Sequence, residues 1–206
     1  MPAITLGLSS WLALTLLASP LLEPSHAAAR PPLLTQAHPP LQRGHVYLRI
    51  QGAGASEVRQ HHLPAAIRFL GGGMLDPPGQ VTQPLLIEHL DDRGHHWVIL
   101  ERQLALRTAR QGHGLANIQT LQVLDSRPLP AGGQLLFSVA NGVVACALNG
   151  KDEADLVATR LVGDRDHQTA RFTDLQLAWR VNRRQLRLEQ IDPSGVSCAN
   201  PAEGQP

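Results

Sequence analysis

Two histidines have the spacing in this sequence that most directly suggests chemistry. His89 and His96 flank residues 91–94, a run of turn-forming residues. A four-residue turn there would place His89 opposite His96 on neighbouring strands, with their Cβ atoms about 5 Å apart. Two imidazoles at that separation can share a Zn²⁺ or Cu²⁺ ion. The pair is therefore the candidate metal site of the sequence.

The other interpretation of these histidines is that they are solvated residues of a β-hairpin. No HxH, HxxxH or HExxH pattern accompanies them, and such spacings place two metal ligands on one element. A slip of one residue in register would send the two side chains to opposite faces. His61 and His62 would add ligands only if their segment folds alongside. The sequence predicts no cofactor, with His89 and His96 as the only metal candidates.

Other polar residues do not form a known catalytic pattern. Asp152, Glu153 and Asp155 lack the ligand order of a calcium loop, and such a run is typical of a solvated turn. The sequence contains no GxSxG motif, and Gly71-Gly72-Gly73 is not part of a phosphate-binding pattern. We expect these glycines to belong to a long loop that continues through residue 79. No catalytic residue is predicted, and a hydrolase with an unrecognised active site stays an alternative.

Alternation of apolar and polar residues predicts strands in most later segments. At residues 46–50, Val46, Leu48 and Ile50 alternate with Tyr47 and Arg49. This pattern places the three aliphatic side chains on the buried face of a strand.

Other segments show related patterns. Residues 175–181 alternate in the same way, and residues 97–106 are apolar on both faces, as in a central strand. Residues 56–62 suggest a short helix that Pro64 would limit.

The clearest local signal is Asn141-Gly142, because this dipeptide favours a two-residue type I′ turn. It predicts a hairpin between Gln134 to Ala140 and Val143 to Leu148. The predicted register pairs three sets of residues on one face: Val139 with Val144, Phe137 with Cys146, and Leu135 with Leu148.

Two further hairpins are predicted, around residues 91–94 and around residues 182–185, the second with Trp179 opposite Leu188. Short strands with polar turns indicate a mostly β protein. We expect one antiparallel β-sandwich or small barrel-like domain over residues 45–206. Residues 28–44 contain four prolines and are interpreted as a linker or strap.

Composition fits an ordinary folded domain and excludes some partners. The 206 residues are 43% hydrophobic and carry a formal net charge of +1. Such a balance predicts neither nucleic-acid binding nor electrostatic attachment to an anionic membrane. We expect a monomer.

The amino-terminal segment has the features of an export signal. An apolar run from Leu6 to Leu22 leads into small residues that end at Ala27. Residues 1–27 are therefore interpreted as a signal peptide, and the protein as periplasmic or secreted. The alternative is an uncleaved membrane anchor, because a run of roughly 17 residues is near the lower limit for a spanning helix.

Cys146 and Cys198 are the only cysteines of the sequence. Both lie in the part that would reach an oxidising compartment, so we expect one structural disulfide between them. They lack the CxxC spacing of a redox pair.

The carboxyl-terminal part contains Val143-Val144-Ala145-Cys146-Ala147-Leu148, Ala178-Trp179-Arg180 and Gly195-Val196-Ser197-Cys198. In these motifs it resembles small exported bacterial proteins of unknown function. The resemblance implies a strand with Cys146, an acidic turn, a strand with Trp179 and a terminal Cys198. It implies no activity.

These features together favour a non-enzymatic periplasmic domain that binds a partner protein or an envelope component. A histidine-based protein that binds or handles a transition metal is the second hypothesis. The hydrolase without a recognisable motif is the third.

Overall fold

The computed structural model describes residues 39–52, 58–77, 79–111, 114–137, 146–161 and 169–200. Residues 1–38, which include the predicted signal peptide and most of the predicted linker, lie outside this part. The described residues form fourteen strands: β1 Val46–Gly52, β2 Val58–His61, β3 Ile67–Met74, β4 Leu85–Asp92, β5 His95–Gln111, β6 Gly114–Leu129, β7 Gly133–Phe137, β8 Cys146–Leu148, β9 Lys151–Asp152, β10 Leu156–Leu161, β11 Arg171–Phe172, β12 Leu177–Asn182, β13 Arg187–Ile191 and β14 Val196–Ala199.

The first sheet contains six antiparallel strands in the order β2-β1-β6-β5-β4-β3. Its two edge strands are consecutive in sequence and are joined by residues 62–66 alone, so the sheet curls until its edges approach each other. Extra residues at Leu104 in β5 and Leu124 in β6 shift the register between these strands, and bulges of this kind increase twist and bending. The sheet is therefore a half-barrel.

The other strands form two four-stranded sheets, β13-β12-β10-β7 and β11-β14-β8-β9. The outer face of the half-barrel packs on the second sheet, where Ile87 and Val98 meet Val157 and Trp179. The opposite face of the second sheet packs on the third around Cys146, whose disulfide with Cys198 confirms the predicted bridge. The fold is thus an antiparallel β-sandwich with a barrel-like sheet, as the sequence predicts.

The inner face of the half-barrel has its own core. Tyr47, Leu90, Ile99 and Leu121 are fully buried there. Leu41, which precedes β1, is 1% exposed in the same cluster. The end of the Pro-rich segment is therefore packed against the domain.

The predicted pairing of Phe137 with Cys146, and of Leu135 with Leu148, is wrong. β7 pairs with β10, whereas β8 lies in the third sheet between β14 and β9. Leu135 and Phe137 face the half-barrel, and the intervening Leu136 packs with Cys146. Both faces of the second sheet are buried, so alternation alone does not identify the partner strand. Asn141-Gly142, Val139 and Val144 lie outside the described residues.

The other two predicted hairpins are present, each with a shifted register. Between β4 and β5 the turn is only Arg93-Gly94, with φ of 53° and 85°, which suits a two-residue type I′ turn. Between β12 and β13 Leu188 lies opposite Val181, and Trp179 lies opposite Gln190. In each hairpin the observed partner lies two residues from the predicted one. Because side chains alternate between the two faces of a strand, the predicted pairs still lie on the same face of the sheet.

Two local predictions are wrong. The predicted helix at 56–62 contains strand β2, and the three glycines lie in strand β3 rather than in a loop. At Gly72 a Cβ atom would collide with the carbonyl oxygen of Ile87 on β4. Strand β3 therefore requires glycine here for close approach to β4, opposite Glu88. None of the helical segments in the described ranges is long and apolar enough to cross a membrane.

Candidate functional site

The inner face of the half-barrel buries a cluster of four polar side chains, here called the inner charge cluster. Tyr47 and Arg49 come from β1, Glu88 from β4 and Glu101 from β5. The alternation in β1 predicts that Val46 is buried and that Tyr47 and Arg49 lie on the opposite, exposed face, and this prediction is wrong. Tyr47 is 0% exposed and Arg49 is 7% exposed, whereas Val46 is 42% exposed.

The cluster is organised around the guanidinium of Arg49. This group contacts the Glu88 carboxylate as an ion pair, and its Nη2 lies 3.6 Å from Oε2 of Glu101. Tyr47 donates a hydrogen bond of 2.6 Å to Oε1 of Glu101 and accepts one of 3.3 Å from Arg49. The guanidinium carbon also lies 4.9 Å from the ring centroid of Phe69. One cation therefore serves two buried carboxyl groups.

Because both carboxyl groups are buried and Arg49 can balance only one negative charge, the carboxyl pair retains protons to unusually high pH. Burial, with the neighbouring carboxylate, raises the pKa of Glu88 to about 8. Burial raises the pKa of Glu101 to about 7, against the opposing effects of Tyr47 and Arg49. Burial and the same carboxylates also raise the pKa of Tyr47, so its hydroxyl stays protonated and donates.

Carboxyl groups with a raised pKa beside an arginine and a tyrosine are chemically capable of acid–base catalysis. The burial of the two carboxyl groups excludes that role in the conformation described. The side chains of Glu88 and Glu101 are 1% and 0% exposed, so a substrate cannot reach them. The cluster is a buried electrostatic element of the half-barrel rather than an open active site.

The free energy of unfolding is expected to fall as the pH rises from about 5 to about 8. In the unfolded chain both carboxyl groups return to the ordinary glutamate pKa of 4.5, so the unfolded chain releases protons that the folded chain retains. The resulting slope is up to about 1.4 kcal/mol per pH unit for each retained proton. Urea unfolding followed by tryptophan fluorescence at several pH values measures it.

Glu88→Gln should flatten this pH dependence, because it removes one titrating group. Glu189→Gln is the control, since Glu189 is held by Arg187 on the exposed side of β13 and has a lowered pKa. Stability that rises with pH over the same interval would contradict the assignment.

The predicted histidine pair lies on the outer face of the half-barrel. His89 is opposite Val98 and His96 is opposite Asp91, so the two histidines are diagonal rather than facing residues. Their rings nevertheless meet, with Nε2 of His89 3.1 Å from Nδ1 of His96. The predicted direct pairing is wrong because the turn is shorter, but the predicted proximity is present.

Strand β5 has an open edge beyond the end of β4. Its pairing with β4 ends at Arg102, after which the Gln103 amide donates to the Pro84 carbonyl. From Leu104 to Arg110 its ladder is with β6 only, and within the described ranges no other backbone group bonds to this stretch. We call Leu104 to Arg110 the open edge.

The open edge is exposed and basic. Leu106 is 57% exposed, and Leu115 on β6, which lies opposite Arg110, is also 57% exposed. Arg102, Arg107 and Arg110 form no ion pair in the part of the chain that the structure describes. The sequence contains no acidic residue between Glu101 and Asp125. This region therefore carries uncompensated positive charge.

A shallow depression of about 470 Å³ lies beside β13. Its arginines are already paired, Arg127 with Asp125 and Arg187 with Glu189. Asp125 and Arg127 also bond the amide and carbonyl of Leu188, so they join the half-barrel to β13. The polar side chains that line the depression are therefore explained by the packing of β13 on the half-barrel.

The acidic turn is likewise accounted for by ion pairs. Glu153 binds Arg180 at 2.6 Å, and Asp155 binds Arg183 at 2.7 Å. Both carboxylates are thus committed to arginines of β12 and the turn that follows it, rather than forming a calcium loop.

No family model, curated protein or solved structure matches this chain.

Proposed function

We propose that this chain is an exported, non-enzymatic interaction domain that binds a partner protein by strand addition at the open edge. The observation that carries the proposal is the seven-residue stretch from Leu104 to Arg110, whose backbone groups on one side have no partner within the described ranges. Such an edge is a template for an extended peptide, which gains main-chain hydrogen bonds as it adds a strand.

The charge of the region selects the partner's chemistry. Arg107 and Arg110 are exposed on opposite faces of β5, because residues three apart in a strand point to opposite sides. An added strand with acidic residues would therefore meet an arginine on either face. Exposed Leu106, on the same face of β5 as Arg110, offers an apolar contact. The partner segment is expected to be extended, acidic and partly apolar.

The same charges oppose pairing between two copies of the chain. Antiparallel pairing of two β5 edges about Arg107 or about Arg110 would place that arginine opposite its own copy, and like charges on facing strands are destabilising. Charged residues on an edge are a common protection against self-association. This supports a monomer that accepts an acidic partner strand.

The export part of the proposal rests on the apolar segment from Leu6 to Leu22 and the small residues that end at Ala27. The disulfide between Cys146 and Cys198 is consistent with an oxidising compartment.

Strand addition is expected to protect the open edge from hydrogen exchange. A ten-residue peptide of alternating Glu and Val is the probe, and an alternating Lys and Val peptide is its control. The acidic peptide should slow amide exchange within Leu104 to Arg110 by about tenfold or more, because the outward-facing amides become bonded. The basic peptide should leave exchange there unchanged.

Arg107→Glu with Arg110→Glu should weaken binding of the acidic peptide by roughly tenfold. Arg184→Glu is the matched control, because Arg184 is exposed in the turn between β12 and β13. Equal protection by both peptides, or protection confined to other strands, would overturn the proposal.

A further inference from the structure

The two histidines on the outer face of the half-barrel present a ligand pair that the interaction function does not use. His89 and His96 are each half-buried. Their rings are tilted by 51°, with centroids 5.2 Å apart. They are held on adjacent strands of one hairpin, so their separation is fixed by the sheet rather than by a loop.

The distance between the two nitrogens is close to that of two metal ligands. Imidazole nitrogens bind Zn²⁺ at about 2.0–2.1 Å, which places two of them about 3.3 Å apart in a tetrahedral site. Nε2 of His89 and Nδ1 of His96 are 3.1 Å apart. Rotation of both rings would direct the two lone pairs at one ion, and the ion would replace the proton now shared between the rings.

One carboxylate lies beside the pair on the same hairpin. Asp91, opposite His96, adds negative charge nearby while its oxygens are bonded by Arg68 and the Gly94 amide.

We infer that His89 and His96 form a two-ligand site for a divalent transition metal. Among the described residues no third His, Cys, Asp or Glu completes a metal-binding group, so water would fill the remaining positions. An open site of this kind exchanges its metal, and Cu²⁺ binds more tightly than Zn²⁺ at such nitrogen ligands. The site lies on β4 and β5 near their turn, whereas the open edge lies at the far end of β5.

The test is titration of the full oxidised protein with Cu²⁺ and with Zn²⁺ near neutral pH, by isothermal calorimetry. One equivalent should bind, and electron paramagnetic resonance of the Cu²⁺ sample should show nitrogen ligands. His89→Ala and His96→Ala should each weaken binding by about tenfold or more. His96→Gln, which keeps a hydrogen-bonding side chain, should weaken it equally.

His95→Ala is the matched control, because His95 is exposed and points to the other face of the same strand. Circular dichroism and thermal unfolding confirm that each variant is folded. Retention of the bound equivalent in folded His89→Ala and His96→Ala, or its loss in His95→Ala, would overturn the inference.

Discussion

Removal of the disulfide between Cys146 and Cys198 is expected to lower the free energy of unfolding by about 4 kcal/mol. The bridge joins residues 52 apart in sequence, and closing a loop of that length restricts the unfolded chain strongly. The closed loop contains β10, β12 and β13, which are three of the four strands of the second sheet. Its loss should therefore weaken the sandwich as well as the small third sheet.

The Cys146→Ala, Cys198→Ala double variant measures this effect without leaving free thiols. Urea unfolding of the oxidised wild type, the reduced wild type and the double variant should place the last two together and well below the first. A difference below about 1 kcal/mol between the oxidised and reduced proteins would show that the bridge contributes little beyond the pairing of β8 with β14.

The sequence predicts much of the local structure, because alternation and turn residues act over short distances. The strand at residues 97–106, the disulfide and the hairpins near residues 93 and 184 are all present. Strand partners are harder to predict. β7 and β10 are buried on both faces, so the sequence of either strand does not indicate which strand it pairs with.

The inner charge cluster is hidden from a sequence-based prediction for a different reason. Tyr47 and Arg49 are amphipathic, and a scale that treats them as polar assigns them to solvent. The signal that could have revealed the cluster is in its partners. Glu88 lies inside the apolar run Leu85 to Leu90, and Glu101 directly follows the apolar Val98 to Leu100. A buried acid in such a strand must either be paired with a cation or remain protonated.

The open edge depends on relative strand lengths, which alternation does not determine. β5 is 17 residues long and β4 is 8, so β5 extends past its neighbour. Pro84 is the local signal for that end, because a proline has no amide hydrogen to continue a ladder. The basic character of the edge, by contrast, can be read directly from residues 102–124.

Arg49→Met is expected to lower the free energy of unfolding by about 3–5 kcal/mol at pH 8. The substitution leaves an apolar side chain of similar length, but removes the only cation that contacts Glu88 and Glu101 among the described residues. A folded variant must then keep both carboxyl groups protonated against a solvent that favours their ionisation. The loss should shrink toward pH 5, because protonation there costs little. Arg187→Met, at an exposed ion pair with Glu189, should cost no more than about 1 kcal/mol.

The decisive comparison adds Glu88→Gln and Glu101→Gln to Arg49→Met. Replacing all the charges of a buried network is often close to neutral, whereas removing one member leaves the others uncompensated. The triple variant should therefore regain most of the stability lost at pH 8 and show little dependence on pH. Tyr47 keeps an acceptor, since the amide oxygen at position 101 can take its hydrogen bond. If Arg49→Met loses the same stability at pH 5 and pH 8, and the glutamines restore nothing, then Arg49 acts through its packing on Phe69 and not through charge.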